Sequence, residues 1–190
     1  GPEHIFAARV RKLFGSNDEI RDAGLTEPGD VVKVKDLAYG NDPEQVLDIY
    51  YPSDTCSSLP AIVSVHGGGY VYGDKNLYRF YCMSLAQRGF TVVNFSYRLA
   101  PEYRFPAQLN DVNAAMQFAC RHAEEYFIDP HNVFFVGDSA GAQMASQYLA
   151  AVTNPAYASL LGLEVPEFEV RACALNCGFY IPDPHQDRML

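Results

Sequence analysis

Downstream of Leu59-Pro60 the sequence settles into a rhythm that few architectures accept. Four apolar runs, Ala61 to Val65, Phe90 to Phe95, Val133 to Val136 and Val170 to Leu175, alternate with longer segments whose apolar residues recur every three or four positions. A strand that is apolar throughout needs cover on both faces, and a helical segment between two such strands is the crossover a parallel sheet requires. The helical spacing is carried by Leu77, Tyr81 and Leu85, by Leu109, Val112, Met116 and Ala119, and by Ala142, Ala145, Leu149 and Val152. The predicted fold class is α/β, a mostly parallel sheet with helices on both faces.

Upstream the pattern differs. Val31 to Val34 and Val46 to Tyr51 are strand-like runs on either side of the turn-forming Tyr39-Gly40-Asn41-Asp42-Pro43, and they read as an antiparallel pair. Before them, Ile5, Phe6, Val10, Leu13 and Phe14 recur at helical spacing until Gly15-Ser16-Asn17-Asp18 interrupts, which predicts a short amphipathic helix. The expected organisation is a helical, lid-like segment over 1–30 and an α/β domain over 31–190.

A length of 190 residues suits one domain, and 48% apolar with 19% charged residues is the composition of an ordinary globular chain. The net charge of -9 would repel phosphate backbones and anionic headgroups, so nucleic acid is excluded as an expected partner. The five cysteines show no C-x-x-C pair or zinc-like spacing and read as reduced, mostly buried thiols, with Cys173 and Cys177 on one face of a strand. With no signal-like start and no run of 18 apolar residues, the expectation is a cytoplasmic protein without a membrane span.

The chemistry is concentrated in two short stretches. Gly137-Asp138-Ser139-Ala140-Gly141 sits between a predicted strand and a predicted helix, the context that gives a G-x-S-x-G match its meaning. So tight a turn strains the serine backbone and would crowd side chains two positions away, which glycine at 137 and 141 avoids. The turn would expose Ser139 at the carboxyl end of the sheet with a helix N-terminus behind it, favouring negative charge. The second stretch is His66-Gly67-Gly68-Gly69-Tyr70, directly after the strand Ala61 to Val65. Backbone without Cβ atoms can turn its N–H groups toward a substrate, and no Gly-Lys-Ser/Thr follows to make this a phosphate loop. The amides of Gly68, Gly69 and Ala140 are the expected oxyanion donors, with His66 and Gly67 shaping the loop.

In these two motifs the chain resembles the α/β-hydrolase carboxylesterases of the hormone-sensitive-lipase-like family. Tyr97-Arg98-Leu99-Ala100-Pro101-Glu102, then Phe105-Pro106-Ala107 and Asp111, is similar to a further block of that family in order and spacing. The resemblance covers about residues 31–180. It implies the α/β-hydrolase fold, attack by Ser139 as nucleophile on a small-molecule ester of small or medium acyl chain, an acyl-enzyme, and no cofactor or metal. It also implies structural roles for Arg98 and Glu102. Asp138 is expected to be solvated or to fix a loop, and Tyr70, Tyr72 and Tyr78 either line a pocket or simply pack.

The pattern then breaks. In this fold the acid and histidine follow the serine along the chain, yet the only histidine after Ser139 is His185, with Glu164, Glu167, Glu169, Asp183 and Asp187 as available carboxylates. Asp183 and His185, two apart beside two prolines, are poorly placed to line up acid, imidazole and hydroxyl. The triad acid and base are therefore not identifiable, and the expectation is an N-terminal portion lacking the C-terminal strands and helices and nearly inactive alone. Its partner would be the missing portion, or another copy through an exposed sheet edge. The alternative is a non-catalytic ligand-binding or degenerate protein on the same scaffold, as the plant gibberellin receptors resemble these esterases while lacking the histidine.

Overall fold

The computed structural model describes residues 1–178 and 180. Its elements run α1 (Pro2–Asp22), β1 (Val31–Ala38), β2 (Val46–Pro52), β3 (Leu59–Val65), a 3-10 turn (Lys75–Tyr78), α2 (Arg79–Ala86), β4 (Thr91–Phe95), α3 (Ala107–Arg121), β5 (Ile128–Asp138), α4 (Ala140–Thr153), α5 (Pro155–Leu160) and β6 (Val170–Asn176). The strands form one sheet in the order β1-β2-β4-β3-β5-β6. β1 and β2 pair antiparallel and β2 runs antiparallel to β4, whereas β4, β3, β5 and β6 are parallel neighbours.

The two-residue period of a strand divides the core between the faces of this sheet. Ala61, Val63, Val65, Val93, Phe95, Val133 and Phe135 point toward α3, α4 and α5, where Leu109, Val112, Met116, Met144, Ala145 and Tyr148 complete the larger cluster. Ile62, Val92 and Tyr50 point the other way, onto Cys82, Met83 and Ala86 of α2.

Three expectations need correction. The first helix does not stop at Gly15 but runs to Asp22. The polar stretch that suggested a break is held in place, since Ser16 bonds back to the Lys12 carbonyl and Asp18 accepts from Tyr72 and pairs with Arg21. The thiols are not mostly buried: Cys82 is, whereas Cys56, Cys173 and Cys177 are exposed. Cys177 also falls outside β6, at φ 53. β6 pairs only with β5 among the described residues, so its side chains lack the second neighbour that buries those of β3. The short α5, unforeseen, starts where Asn154 caps the Tyr157 amide (3.2 Å) ahead of Pro155.

Candidate active site

Parallel register brings the two chemical stretches together. Val65 pairs with Gly137, and Asp138 with Asn176, so β3, β5 and β6 finish side by side and their following loops emerge at one end of the sheet. Ser139 lies in the turn between β5 and α4 with φ 53 and ψ -119, and it is solvent-exposed. A left-handed φ at a non-glycine residue is held by its surroundings. Here the Ser139 N–H donates to the Asn176 carbonyl (2.8 Å), and the Ser139 carbonyl accepts from Gln143 N–H (3.1 Å) in the first turn of α4. Gly141 passes so close to the carbonyls of Val65 and His66 that a Cβ there would collide with backbone.

The glycine loop abuts this turn. A Cβ on Gly67 would stand 2.7 Å from the Asp138 carbonyl oxygen and 3.3 Å from Ser139 Cβ, so the approach of loop to elbow depends on its absence. Gly68 has φ +127, and its carbonyl accepts from the N–H groups of Val71 (3.2 Å) and Tyr72 (3.0 Å). Among the described residues, no internal acceptor takes the N–H of Gly68, Gly69 or Ala140. Amides left free beside an exposed serine hydroxyl are suited to an oxyanion.

His66 is fully buried and stacks on Tyr97 with ring centroids 4.0 Å apart. Its Nδ1 lies 2.7 Å from the Gly67 carbonyl, which can only accept, so that nitrogen carries the proton. Burial pulls the imidazole pKa down to about 4, against the opposing hydrogen bond to Gly67. The ring is therefore neutral, its Nε2 has no partner, and it is engaged with the loop rather than with Ser139. Tyr97 closes the arrangement by donating to the His66 carbonyl (2.7 Å).

The remaining residues form a frame. Asp138 accepts from Tyr78 (2.7 Å), Tyr70 donates to Gln143 Oε1 (3.0 Å), and Tyr72 bonds Asp18. Arg98 forks onto the fully buried Asp111, which also accepts from Gln45 (2.8 Å). Glu102 is paired with Arg11 of α1 (2.9 Å). Lys75, itself buried, bridges Asp36 and Asp48, each at 2.9 Å, directly after the glycine loop. Arg11, Gln143 and Lys75 were not foreseen, because no local pattern marks them and Arg11 finds partners 60 and 91 residues away.

Among the described residues, no histidine or carboxylate side chain hydrogen-bonds to the Ser139 hydroxyl. None of His4, His66, His122 and His131 bonds to it; His122 pairs with Glu125 and His131 with Glu169. His185, Asp183 and Asp187 lie outside the described residues. A cleft of about 470 Å³ opens beside Tyr78, Val136 and Asp138, but Ser139 is not in its lining. No helix among the described residues is long and apolar enough to cross a membrane, and none of their His, Cys, Asp and Glu side chains cluster as a metal site.

Comparison with known proteins adds to this geometry. The family model described as BD-FAE matches residues 47–171. The isoprenylcysteine alpha-carbonyl methylesterase ICME of Arabidopsis thaliana is 30% identical over 112 residues, 59% of this chain and 26% of that protein. The ethyl acetate hydrolase of Pseudomonas putida is 32% identical over 149 residues, 76% of this chain and 46% of that protein. A crystal structure of esterase B from Lactobacillus rhamnosis with a tributyrin phosphonate superposes with a TM-score of 0.86 at 31% identity, covering 93% of this chain and 59% of that one. The chain thus spans about a quarter to just under half of these curated relatives.

Proposed function

The chain belongs to the BD-FAE family of α/β-hydrolase carboxylesterases, of the hormone-sensitive-lipase-like type, and from that premise we propose that it hydrolyses carboxylic esters through Ser139. The Oγ of Ser139 attacks the acyl carbon while its proton passes to a general base. Negative charge then collects on the former carbonyl oxygen. The amides of Gly68, Gly69 and Ala140 receive it. Collapse expels the alcohol, which takes up the proton, and water repeats the sequence on the acyl-enzyme to release the acid.

One observation carries this reading: an exposed Ser139 at φ 53 stands against a glycine loop in which the N–H groups of Gly68 and Gly69 have no other acceptor among the described residues. His66 and Gly67 shape the loop, and Tyr78 with Asp138 fixes the elbow. No described histidine or carboxylate bonds to Ser139, so in this reading the acid and base come from outside the described residues. Loss of a triad base costs about 10⁶ in kcat, with about 10³–10⁴ over water surviving from the donors and binding. The names of the ethyl acetate hydrolase and the tributyrin phosphonate complex support short acyl chains as substrates.

The test is covalent labelling of the complete protein by a p-nitrophenyl alkylphosphonate, read by intact mass and peptide mapping, beside hydrolysis of p-nitrophenyl butyrate. Label on Ser139, lost together with hydrolysis in Ser139→Ala, is expected. Undiminished hydrolysis in Ser139→Ala would refute the mechanism.

A further inference from the structure

The contacts of α1 concentrate on the segment that follows the glycine loop. Phe14 meets Tyr72 edge to face, Asp18 accepts from Tyr72, and Arg21 donates to the Leu77 carbonyl (2.6 Å). Arg11, on the same helix, joins two separate segments of the chain. Its Nε donates to the Val71 carbonyl (2.8 Å), one terminal nitrogen reaches the Ala100 carbonyl (3.3 Å), and the guanidinium forks onto Glu102 at 2.9 and 3.2 Å. Between the two carbonyls it spans, the chain is already tied by the Ala100 N–H donating to the Tyr70 carbonyl (2.8 Å).

We infer that Arg11 is a positioning residue for the oxyanion donors, acting from the N-terminal helix without touching substrate; this rests on the esterase reading above. Three linked steps connect it to the loop. Arg11 fixes the Val71 peptide through its carbonyl. The N–H groups of Val71 and Tyr72 then hold the Gly68 carbonyl inside the turn. In a trans peptide the carbonyl and the following N–H point in opposite directions, so a Gly68 carbonyl held inward aims the Gly69 N–H outward. Glycine at 68 and 69 imposes little preference of its own, and the peptide between them is free to rotate unless something outside the loop restrains it.

Arginine suits this task where lysine does not. Two backbone carbonyls on different segments and one carboxylate are met at once by a planar fork of donors, whereas an ammonium is a point charge on a flexible stem. The pairing with Glu102 is largely exposed and adds little by itself, since exposed ion pairs contribute weakly. It orients the guanidinium, and the carbonyl bonds transmit the effect.

The complete protein, as wild type and as Arg11→Ala, Arg11→Lys and Glu102→Gln, is assayed on p-nitrophenyl butyrate, with the active fraction of each counted by phosphonate titration. Per active molecule, Arg11→Ala should lose about tenfold or more in kcat with KM within about twofold, because only a developing oxyanion feels the misdirected amide. Added guanidinium at millimolar concentration should recover part of the loss, Arg11→Lys should fall between, and Glu102→Gln should stay within about twofold of wild type. A kcat for Arg11→Ala within twofold of wild type overturns the inference, as does a loss confined to the active fraction or to KM. A wild type inert toward such esters removes the esterase reading and this inference with it, whereas an active wild type beside an unaffected Arg11→Ala removes the inference alone.

Discussion

Val65 and Gly137 are partners across the parallel pair β3 and β5, so the residue that leads into the glycine loop and the residue that starts the serine turn lie at the same level of the sheet. Two further residues on each side complete the encounter, with Gly67 against Ser139. The site is a property of strand register, and slippage of one strand by a residue would dismantle it.

Gly68→Ala should be damaging for two reasons that act together. A Cβ at 68 would strike the Tyr72 carbonyl, and φ +127 is a conformation that alanine resists. Relief of either moves the peptide that carries the proposed oxyanion donors. The expected outcome is a kcat lower by about 10²–10³, the cost of losing one oxyanion donor. Steady-state kinetics on a short-chain ester checks it, and a fall seen only in KM would contradict it.

The buried imidazole of His66 should make stability pH-dependent. Its folded pKa is lowered to about 4 by burial, so the unfolded chain binds a proton first as pH falls. The contribution is complete above about 6.5 and is lost as pH falls toward about 4, an effect of about 3 kcal/mol at most. Urea unfolding between pH 7.5 and 4.5 reads the slope. In His66→Gln that slope should be shallower, and an unchanged slope would assign it to other groups.

Arg98 and Asp111 form a pair of which the carboxylate is fully buried. Arg98→Leu alone strands that charge and should destabilise by about 3–5 kcal/mol. The double variant Arg98→Leu with Asp111→Leu should be milder than Arg98→Leu, because no charge is left behind. Denaturation midpoints of the single and double variants decide the matter.

Tyr78→Phe removes the hydroxyl that Asp138 accepts (2.7 Å) and keeps the ring. Hydrogen bonds to charged groups contribute about 1.5–3 kcal/mol, and the bond sits next to the Ser139 turn. Thermal unfolding should show a loss at the lower end of that range, since Asp138 is only partly buried.

Much of this was legible in the sequence wherever a residue's role is set by its neighbours in the chain. The strands β3, β4, β5 and β6 follow from predominantly apolar runs, and the turn at Ser139 from glycines that tolerate close backbone. Position 15 misled because a glycine in a polar stretch looks like a stop, whereas Tyr72 and Arg21 hold the next turn in helical form. Cys173 misled because an apolar run does not say how many neighbours its strand has, and Cys177 because it falls past the end of β6. Arg11 and Lys75 were invisible for a third reason: surface-type residues become internal braces only through partners far away in sequence.

The division of the core into two unequal clusters has its own outcome. Adjacent residues of β3 face different environments, Val63 the thick layer of α3, α4 and α5, and Ile62 the thin layer of α2. Tolerance to substitution along the central strands should therefore be striped with a period of two, and random variants that survive selection would accumulate on alternate positions.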